Sequence, residues 1–324
     1  MMTSGLHVIR ADETPSSTLQ VLQATGRPLF GDTELQTLAI SSGIAAAWAR
    51  GLEQRGPALL TQVGGSFSVA WRNPQGHTFL AIDRFAIQSL CYRHEGTTLR
   101  FAERADELST RHEGDLDPQA LYDYLFFHAI PSPRTVFKQV QRLVPGHVAE
   151  FDPAGRLSVR AYWQPRFQAA PTPDFNQMRE RFRDRLKEAT RRQLDGSKPA
   201  CFLSGGTDSS TVAGMIGLAG SEPAHTYSIG FEAEGYDEMA FARIAAKHFG
   251  CPHHEYYVTP ADLVDRMATV ARHYDQPFGN SSAVPAYFCA RMAQADGVTR
   301  ILAGDGGDEL FGGNTRYAKQ TVFG

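Results

Sequence analysis

Two glycine-rich segments carry carboxylates in the pattern that phosphate chemistry needs. The first is Ser204-Gly205-Gly206-Thr207-Asp208-Ser209-Ser210, and the second is Gly304-Asp305-Gly306-Gly307-Asp308-Glu309-Leu310-Phe311-Gly312-Gly313. Small residues let the backbone approach phosphate oxygens, and the N–H groups that open a helix attract anions. Asp208 adds a carboxylate able to hold Mg²⁺ against a polyphosphate. Asp308, in a second loosened turn about a hundred residues later, could complete that site and bring two carboxylates to a leaving pyrophosphate. The chain has no G-x-x-x-x-G-K-S/T segment, so this is not a Walker loop. Plainer readings of the same residues are a glycine turn before a helix and, for Glu309, an acidic helix cap.

Such turns need elements to hold them. Pro199 to Leu203 reads as a short buried strand, and Ser209 to Leu218 as a helix. Thr226 to Phe231 is a strand, Asp237 to Phe249 a helix closed by Gly250, and His254 to Val258 a strand. Helices over Pro260 to Tyr274 and Ala283 to Ala295 precede a last buried strand, Arg300 to Ala303. This alternation predicts an α/β fold, a parallel sheet with helices on both faces and ligands at the carboxyl ends of the strands. Ser204, Gly230 and Gly304 all fall at such ends, so three turns can converge on one ligand. Upstream, Asp174 to Leu194 is a polar helix whose Met178, Phe182, Leu186 and Ala189 form a stripe toward a core. Its arginines alternate with acids, as on a solvated face. His253 and His254 have no third ligand at metal spacing and read as strand-edge histidines.

The first half has a different rhythm. Residues 1 to about 30 show little pattern, and Asp32 to Leu60 reads mostly as helix. Gly65 to Trp71 and Thr78 to Asp83 flank the turn Asn73-Pro74-Gln75-Gly76 as a hairpin, with further strands near Leu90 to Tyr92 and Leu99 to Ala102. Asp117 is an N-cap and Pro118 the first residue of the next helix.

Composition narrows the classes. The chain has 324 residues, 42% of them apolar and 21% charged, with a net charge of −3. That balance describes a two-domain globular protein and argues against nucleic-acid and membrane partners. No apolar run approaches a membrane span, and the N-terminus lacks a basic region followed by an apolar core. Cys91, Cys201, Cys251 and Cys289 form no C-x-x-C pair. They read as small buried side chains in a cytoplasmic protein.

The first segment resembles the pyrophosphate loop (PP-loop) of ATP-pyrophosphatases, and the second resembles the G-E/D-G-x-D-E-L-F-G-G signature of the asparagine synthetase family. Gly65-Ser66-Phe67, then Asp83-Arg84-Phe85-Ala86-Ile87-Gln88-Ser89-Leu90-Cys91-Tyr92, then Leu99 to Glu103 are similar to the later half of that family's class II glutaminase domain. Arg142-Leu143-Val144-Pro145-Gly146-His147 is similar to its interdomain connector. The resemblance implies a degenerate, partial Ntn-glutaminase-like α+β domain over 1–115, a connector over 116–172 and a PP-loop synthetase domain of the adenine nucleotide alpha-hydrolase type over 173–324. It implies ATP and Mg²⁺ as cofactors. Ser204, Gly205, Gly206, Asp208, Ser209, Ser210, Ser228, Ile229, Gly230, Gly304 and Gly306 are implied to bind the nucleotide. Asp208 and Asp308 are the implied metal ligands, and Asp305, Asp308 and Glu309 the implied catalytic acids. Tyr236-Asp237-Glu238, and Asp275-Gln276-Pro277 with Ser281-Ser282, also resemble family positions; in relatives the Asp-x-Pro loop lies near the adenylate.

The implied chemistry is adenylation of a carboxylate, aspartate by default, followed by amide formation with ammonia or an amine. Relatives that close β-lactam rings, cyclise lasso peptides or amidate sugar acids keep a peptide or another small carboxylate in view. Glutaminases of this class use an N-terminal cysteine, whereas this sequence begins Met1-Met2-Thr3 and its first cysteine is Cys91. The expectation is a domain without glutaminase activity. The sequence stops at Gly324, where such synthetase domains continue and supply a lysine that Lys319 lies too early to match. A fragment of a longer product and a shortened, non-catalytic binding subunit are both expected readings. A tRNA-modifying PP-loop enzyme is a third class, disfavoured by the acidic balance, and a homodimer is compatible with the family.

Overall fold

The computed structural model describes residues 5–110, 112–167, 174–232 and 237–313. Tyr236, Lys319 and the expected boundary at 172/173 lie outside them. The chain divides into two compact units: Met1–Gln168 with Tyr274–Gly279, and Ala169–His273 with Asn280–Gly324.

The first unit holds β1 (His7–Arg10), β2 (Gln20–Phe30), α1 (Thr33–Ser42), α2 (Ile44–Arg55), β3 (Val63–Arg72), β4 (Thr78–Ile82), β5 (Cys91–Glu95), β6 (Thr98–Ala102), α3 (Pro118–Phe127), β7 (Val140–Arg142), β8 (His147–Phe151) and β9 (Leu157–Ala161). The strands form two antiparallel sheets, ordered β2-β3-β4-β8-β9 and β1-β6-β5-β7. Period-two alternation along β3 and β4 divides their side chains between two cores. Phe67, Val69, Trp71, Phe79 and Ala81 pack with Trp48 and Leu52 of α2. Ala70, Leu80 and Ile82 pack with Leu99 and Phe101 of β6. Helices therefore cover one face of the five-stranded sheet, and the second sheet covers the other.

Where residues 1 to about 30 show little pattern in the sequence, β1 pairs with β6 and β2 with β3. Gly26 and Pro28 obscured β2, and both are tolerated because β2 is an edge strand. The single helix expected over 32–60 is broken at Gly43 (φ 91°) into α1 and α2, and a 3₁₀ turn follows over Gly56–Gln62. Within the segment expected as a connector over 116–172, β7 pairs with β5 and β8 with β4. The hairpin at Asn73 to Gly76 and the cap at Asp117 are as expected.

Asp83 is the polar centre of this unit. It is fully buried, and its carboxylate accepts the backbone N–H groups of Phe67 (3.2 Å), Phe85 (3.0 Å), Ile87 (3.1 Å) and Gln88 (2.9 Å). A buried donor left without an acceptor costs about 1–3 kcal/mol.

The second unit holds α4 (Phe175–Gln193), β10 (Ala200–Phe202), α5 (Thr207–Ala219), β11 (His225–Gly230), α6 (Met239–Phe249), β12 (His253–Tyr257), α7 (Pro260–Ala271), α8 (Ala283–Ala295) and α9 (Gly307–Phe311). The strands are parallel, ordered β10-β11-β12. Cys201 and Leu203 pack with Ala213 and Ile216 of α5 and Ala242 and Ala246 of α6. Ala200 and Tyr227 pack with Cys289 and Ala293 of α8. These two clusters are the helical layers on opposite faces of the sheet, the predicted α/β architecture.

The strand expected over Arg300 to Ala303 is a single bridge, Leu302 to Cys201. The helix expected to reach Tyr274 stops at Ala271, and Tyr274–Gly279 groups with the first unit. The stripe on α4 is not buried: Met178 and Phe182 are 40% and 43% exposed, and Phe182 meets Phe311 edge-on at 4.9 Å. Among the described residues no helix is long and apolar enough to cross a membrane.

At the edge strand, His254 stacks on Tyr227, its Nδ1 lies 3.2 Å from Asp296, and its Nε2 lies 3.3 Å from Nδ1 of His225. Burial first, then the charges of Lys198 and His254, hold the His225 imidazole below its ordinary pKa. An unfolded chain thus takes up the proton at higher pH than the folded one. The contribution of His225 to stability is lost as pH falls through about 6.5 toward the lower folded value.

Two outcomes follow for stability. All the tryptophans, Trp48, Trp71 and Trp163, lie in the first unit, so their fluorescence reports its unfolding alone. Asp83→Ala is expected to lower its urea midpoint by roughly 1 M or more, with Asp83→Asn intermediate; an unchanged midpoint would show that the four N–H groups need no acceptor. For the second unit, the loss of stability between pH 7 and pH 5, read by amide hydrogen exchange in β11 and β12, should be smaller in His225→Gln than in wild type.

Candidate functional site

The carboxyl ends of β10 and β11 and the turn after Leu302 open into a cleft of about 610 Å³. Its floor is built by the first glycine loop. β10 ends at Phe202, and Gly206 is the N-cap of α5, with no side chain capping the helix. The positive end of that helix therefore has no side-chain acceptor. The Oγ atoms of Ser204 and Ser209 lie 3.0 Å apart, and Ser209 Oγ also accepts the N–H of Ser204 at 3.1 Å. Gly206 N–H donates to Ser204 Oγ at 3.2 Å. These bonds staple the loop across the first turn of the helix.

The second loop fits against the first because glycines leave room. A Cβ on Gly304 would meet the backbone carbonyl carbon of Asp208 at 3.0 Å and the N of Ser209 at 3.1 Å. A Cβ on Gly307 would collide with the Asp208 carboxylate, whose Cγ would be 2.6 Å away. Asp208 is thus held between Gly304 and Gly307. A Cβ on Gly313 would likewise collide with the carboxylate of Asp308.

The cleft is lined by Ser204, Asp208, Ser209, Ser228, Ile229, Gly304, Asp305, Gly306, Asp308 and Glu309 among the residues singled out from the sequence. Four others do not line it: Gly205, Gly206, Ser210 and Gly230. Gly205 (φ 85°) is pressed on α6, where a Cβ would lie 2.5 Å from the N of Ala242. Gly230 is pressed on Tyr257, at 2.5 Å from Cε1 by the same measure. Gly206 and Ser210 belong to the turn itself, with Ser210 N–H donating to Gly206 O at 3.1 Å. Their place is to shape the loop.

Sequence reasoning missed the wall formed by Pro285, Ala286 and Cys289 of α8, and also Phe231 and Met239. The helix itself was legible, but apolar residues on it carry no chemical signal. Burial pushes the Cys289 thiol up to about 12.

The charge pattern is one-sided. Asp208, Glu238, Asp305, Asp308 and Glu309 line the cleft, and among the described residues no Lys, Arg or His does. A bare polyphosphate would meet only like charge from the side chains. Among the described residues no group of three or more His, Cys, Asp or Glu is placed to hold a metal ion by itself. A divalent cation here would need oxygens from its ligand as well as from Asp208 and Asp308.

Asp275, expected near the adenylate, does not line this cleft. Its carboxylate is bound by Arg142 within the first unit.

Comparison with known proteins agrees with the two-part organisation. Residues 181–323 match the asparagine synthase family model, and residues 44–163 match that of the glutamine amidotransferase domain. The chain is 32% identical over 247 residues to a putative glutamine-hydrolyzing asparagine synthetase 2 of Methanocaldococcus jannaschii, covering 74% of this chain and 47% of that one. It is 28% identical over 260 residues to asparagine synthetase 1 of Bacillus subtilis, covering 79% and 41%. A putative asparagine synthetase of Mycobacterium bovis is 30% identical over 288 residues, covering 86% and 44%. An amidotransferase-like region followed by a synthase region on one chain defines the class. The chain belongs to the asparagine synthetase family. It spans less than half the length of these relatives.

Two glycine substitutions should behave differently. Gly205→Ala forces a side chain at positive φ against backbone and is expected to destabilise the second unit by on the order of 2–3 kcal/mol. Gly307→Ala meets the end of a flexible side chain and should leave the melting transition within about 1 kcal/mol of wild type while displacing the Asp208 carboxylate. Thermal melts of the two variants distinguish the effects; equal losses would contradict the assignment.

Proposed function

We propose that the cleft binds ATP with Mg²⁺ and adenylates a carboxylic acid, releasing pyrophosphate, after which ammonia or an amine opens the acyl-adenylate to an amide. The observation that carries this reading is a cleft whose only positive potential among the described residues is an uncapped helix N-terminus and whose charged side chains among them are all acids. Such a site selects a polyphosphate that arrives with its own divalent cation.

The triphosphate would lie across the start of α5, against the backbone of Ser204 to Ser209, with Ser228 and Ile229 at the end of β11 beside the base. Asp208 and Asp308 would hold the cation; when bound, it would neutralise charge on the leaving pyrophosphate. An oxygen of the acid attacks the α-phosphorus, the bond to the β-phosphate breaks, and pyrophosphate departs. The nitrogen nucleophile then adds to the acyl carbon, loses a proton and expels AMP. Asp305 and Glu309 would orient the acid and amine rather than bind phosphate. Aspartate is the first acid to test, by likeness to the relatives, with peptide and sugar acids next.

The nitrogen is proposed to come from free ammonia or an amine. Burial pushes Cys91 up to about 11 and Cys201 up to about 12, and Cys251 is raised as well, so no cysteine of this sequence has an activated thiolate.

Acid-dependent exchange of labelled pyrophosphate into ATP tests the reading. Asp208→Ala and Asp308→Ala are each expected to lower exchange by about 10²–10³ with unchanged melting transitions. Exchange that survives both substitutions, or that no acid supports, refutes it. Glutamate release from glutamine by this chain would refute the nitrogen assignment.

A further inference from the structure

Within the second unit, β11 runs on past the point where β10 leaves it. The pairing of β10 with β11 ends at Phe202 beside Tyr227, and its last bond runs from Leu203 N–H to Tyr227 O at 3.0 Å. On its other side β11 stays paired with β12 to its last residue, Gly230, whose carbonyl accepts the N–H of Val258 at 3.0 Å. Successive residues of a central strand direct their backbone groups to alternate neighbours. Thr226 and Gly230 bond toward β12, to Pro252 and Val258, while Tyr227 bonds toward β10. Ile229 therefore faces the same way as Tyr227. Its N–H would go to the carbonyl of Leu203 if the parallel ladder continued one step further, and the register stops before that step.

The carbonyl of Leu203 is bonded elsewhere. It accepts the hydroxyl of Ser228, and both residues are only 2% exposed. The Leu203 side chain is packed with Ala213 and Ile216 of α5, so its backbone cannot turn to water for a partner. From Ser204 onward the loop bonds to itself, with Ser204 N–H donating to Ser209 Oγ at 3.1 Å. Side chains leave a strand across the sheet, whereas ladder bonds lie in its plane. A carbonyl drawn to Ser228 Oγ is thus drawn away from the plane of the Ile229 N–H. Ile229 is half-buried and lines the cleft.

We infer that Ser228 is a positioning residue, whose hydroxyl takes the Leu203 carbonyl that a longer ladder would give to Ile229 and so keeps the Ile229 N–H turned to the cleft as a donor for a ligand. Its oxygen acts on the strand end and not on a reactant. Without the hydroxyl, the donor left to the buried carbonyl is the ladder's own, and pairing would extend by one bond at the mouth of the cleft. The consequence for ATP rests on the proposed function; the assignment of the Ser228 hydroxyl does not.

Amide exchange read by NMR on the 324-residue chain, with isotope-labelled isoleucine and tyrosine, tests this without any ligand. In wild type the Ile229 N–H should exchange at least about tenfold faster than that of Tyr227, which lies in the ladder. In Ser228→Ala the freed carbonyl should pair with Ile229 and slow its exchange by about tenfold. A variant that merely loosens the unit would do the opposite and speed exchange at both residues. Ser228→Thr, which keeps a hydroxyl, should keep the wild-type rate. If the alanine variant fails to fold, Ser228→Cys, close in shape and a much weaker donor, carries the same expectation. Wild-type Ile229 exchange as slow as that of Tyr227 overturns the inference before any variant is made. Unchanged or faster exchange at Ile229 in a folded Ser228→Ala also overturns it. In a second arm, the Kd for MgATP should rise by about tenfold in Ser228→Ala and return in Ser228→Thr. Failure of the wild-type chain to bind MgATP would sink the proposed function alone, because the exchange arm decides the role of Ser228 independently.

Discussion

The second unit depends on a steric constraint: the backbone of Asp208 and Ser209 and the turn at Gly304 to Gly307 approach too closely for a Cβ. The contact is made between two strand ends, and the bridge from Leu302 to Cys201 brings them side by side. With a side chain at Gly304 the turns would part, and the acids of the second loop would leave the end of α5, whereas one at Gly307 would displace the Asp208 carboxylate. The glycines therefore act through what they omit. They also explain why Gly205 and Gly230 matter without facing the cleft, since each lets the loop or strand end rest on its neighbour, α6 or Tyr257.

The first unit is held together differently. Its two cores are divided by the alternation of β3 and β4, and the turn after β4 is organised by one carboxylate. Asp83 replaces a ladder partner for three N–H groups of the irregular segment Arg84 to Ser89, and it also accepts the N–H of Phe67 in β3. The stretch that resembles the amidotransferases most closely is thus the one whose backbone needs Asp83. Folding of this stretch thus depends on a buried carboxylate and not on its single cysteine, Cys91.

The legibility of the fold follows from how local each signal is. Asp117 with Pro118, Gly250 after α6, and the Asn73 to Gly76 turn are settled by two to four adjacent residues. The glycine loops were legible for the same reason. β2 was not, because its evidence is its pairing with β3, about forty residues away, and the edge position that excuses Pro28. The break at Gly43 was hidden because apolar spacing runs through it. In the site, the acids were legible and the α8 wall was not. A carboxylate announces its chemistry by type, whereas Pro285 and Ala286 acquire theirs only by position.

The two glycine loops and α8 divide the labour of the cleft. The loops place the acids through backbone contacts, with no adjustable side chain between Gly304 and Asp208. The opposite wall is carried by Pro285, Ala286 and Cys289 of α8, and Cys289 and Ala293 pack that helix on Ala200 and Tyr227. Five carboxylates line this one cleft, and their mutual repulsion is relieved when a cation is present. The acids therefore set the demand for a cation, while the apolar wall across from them offers it no ligand.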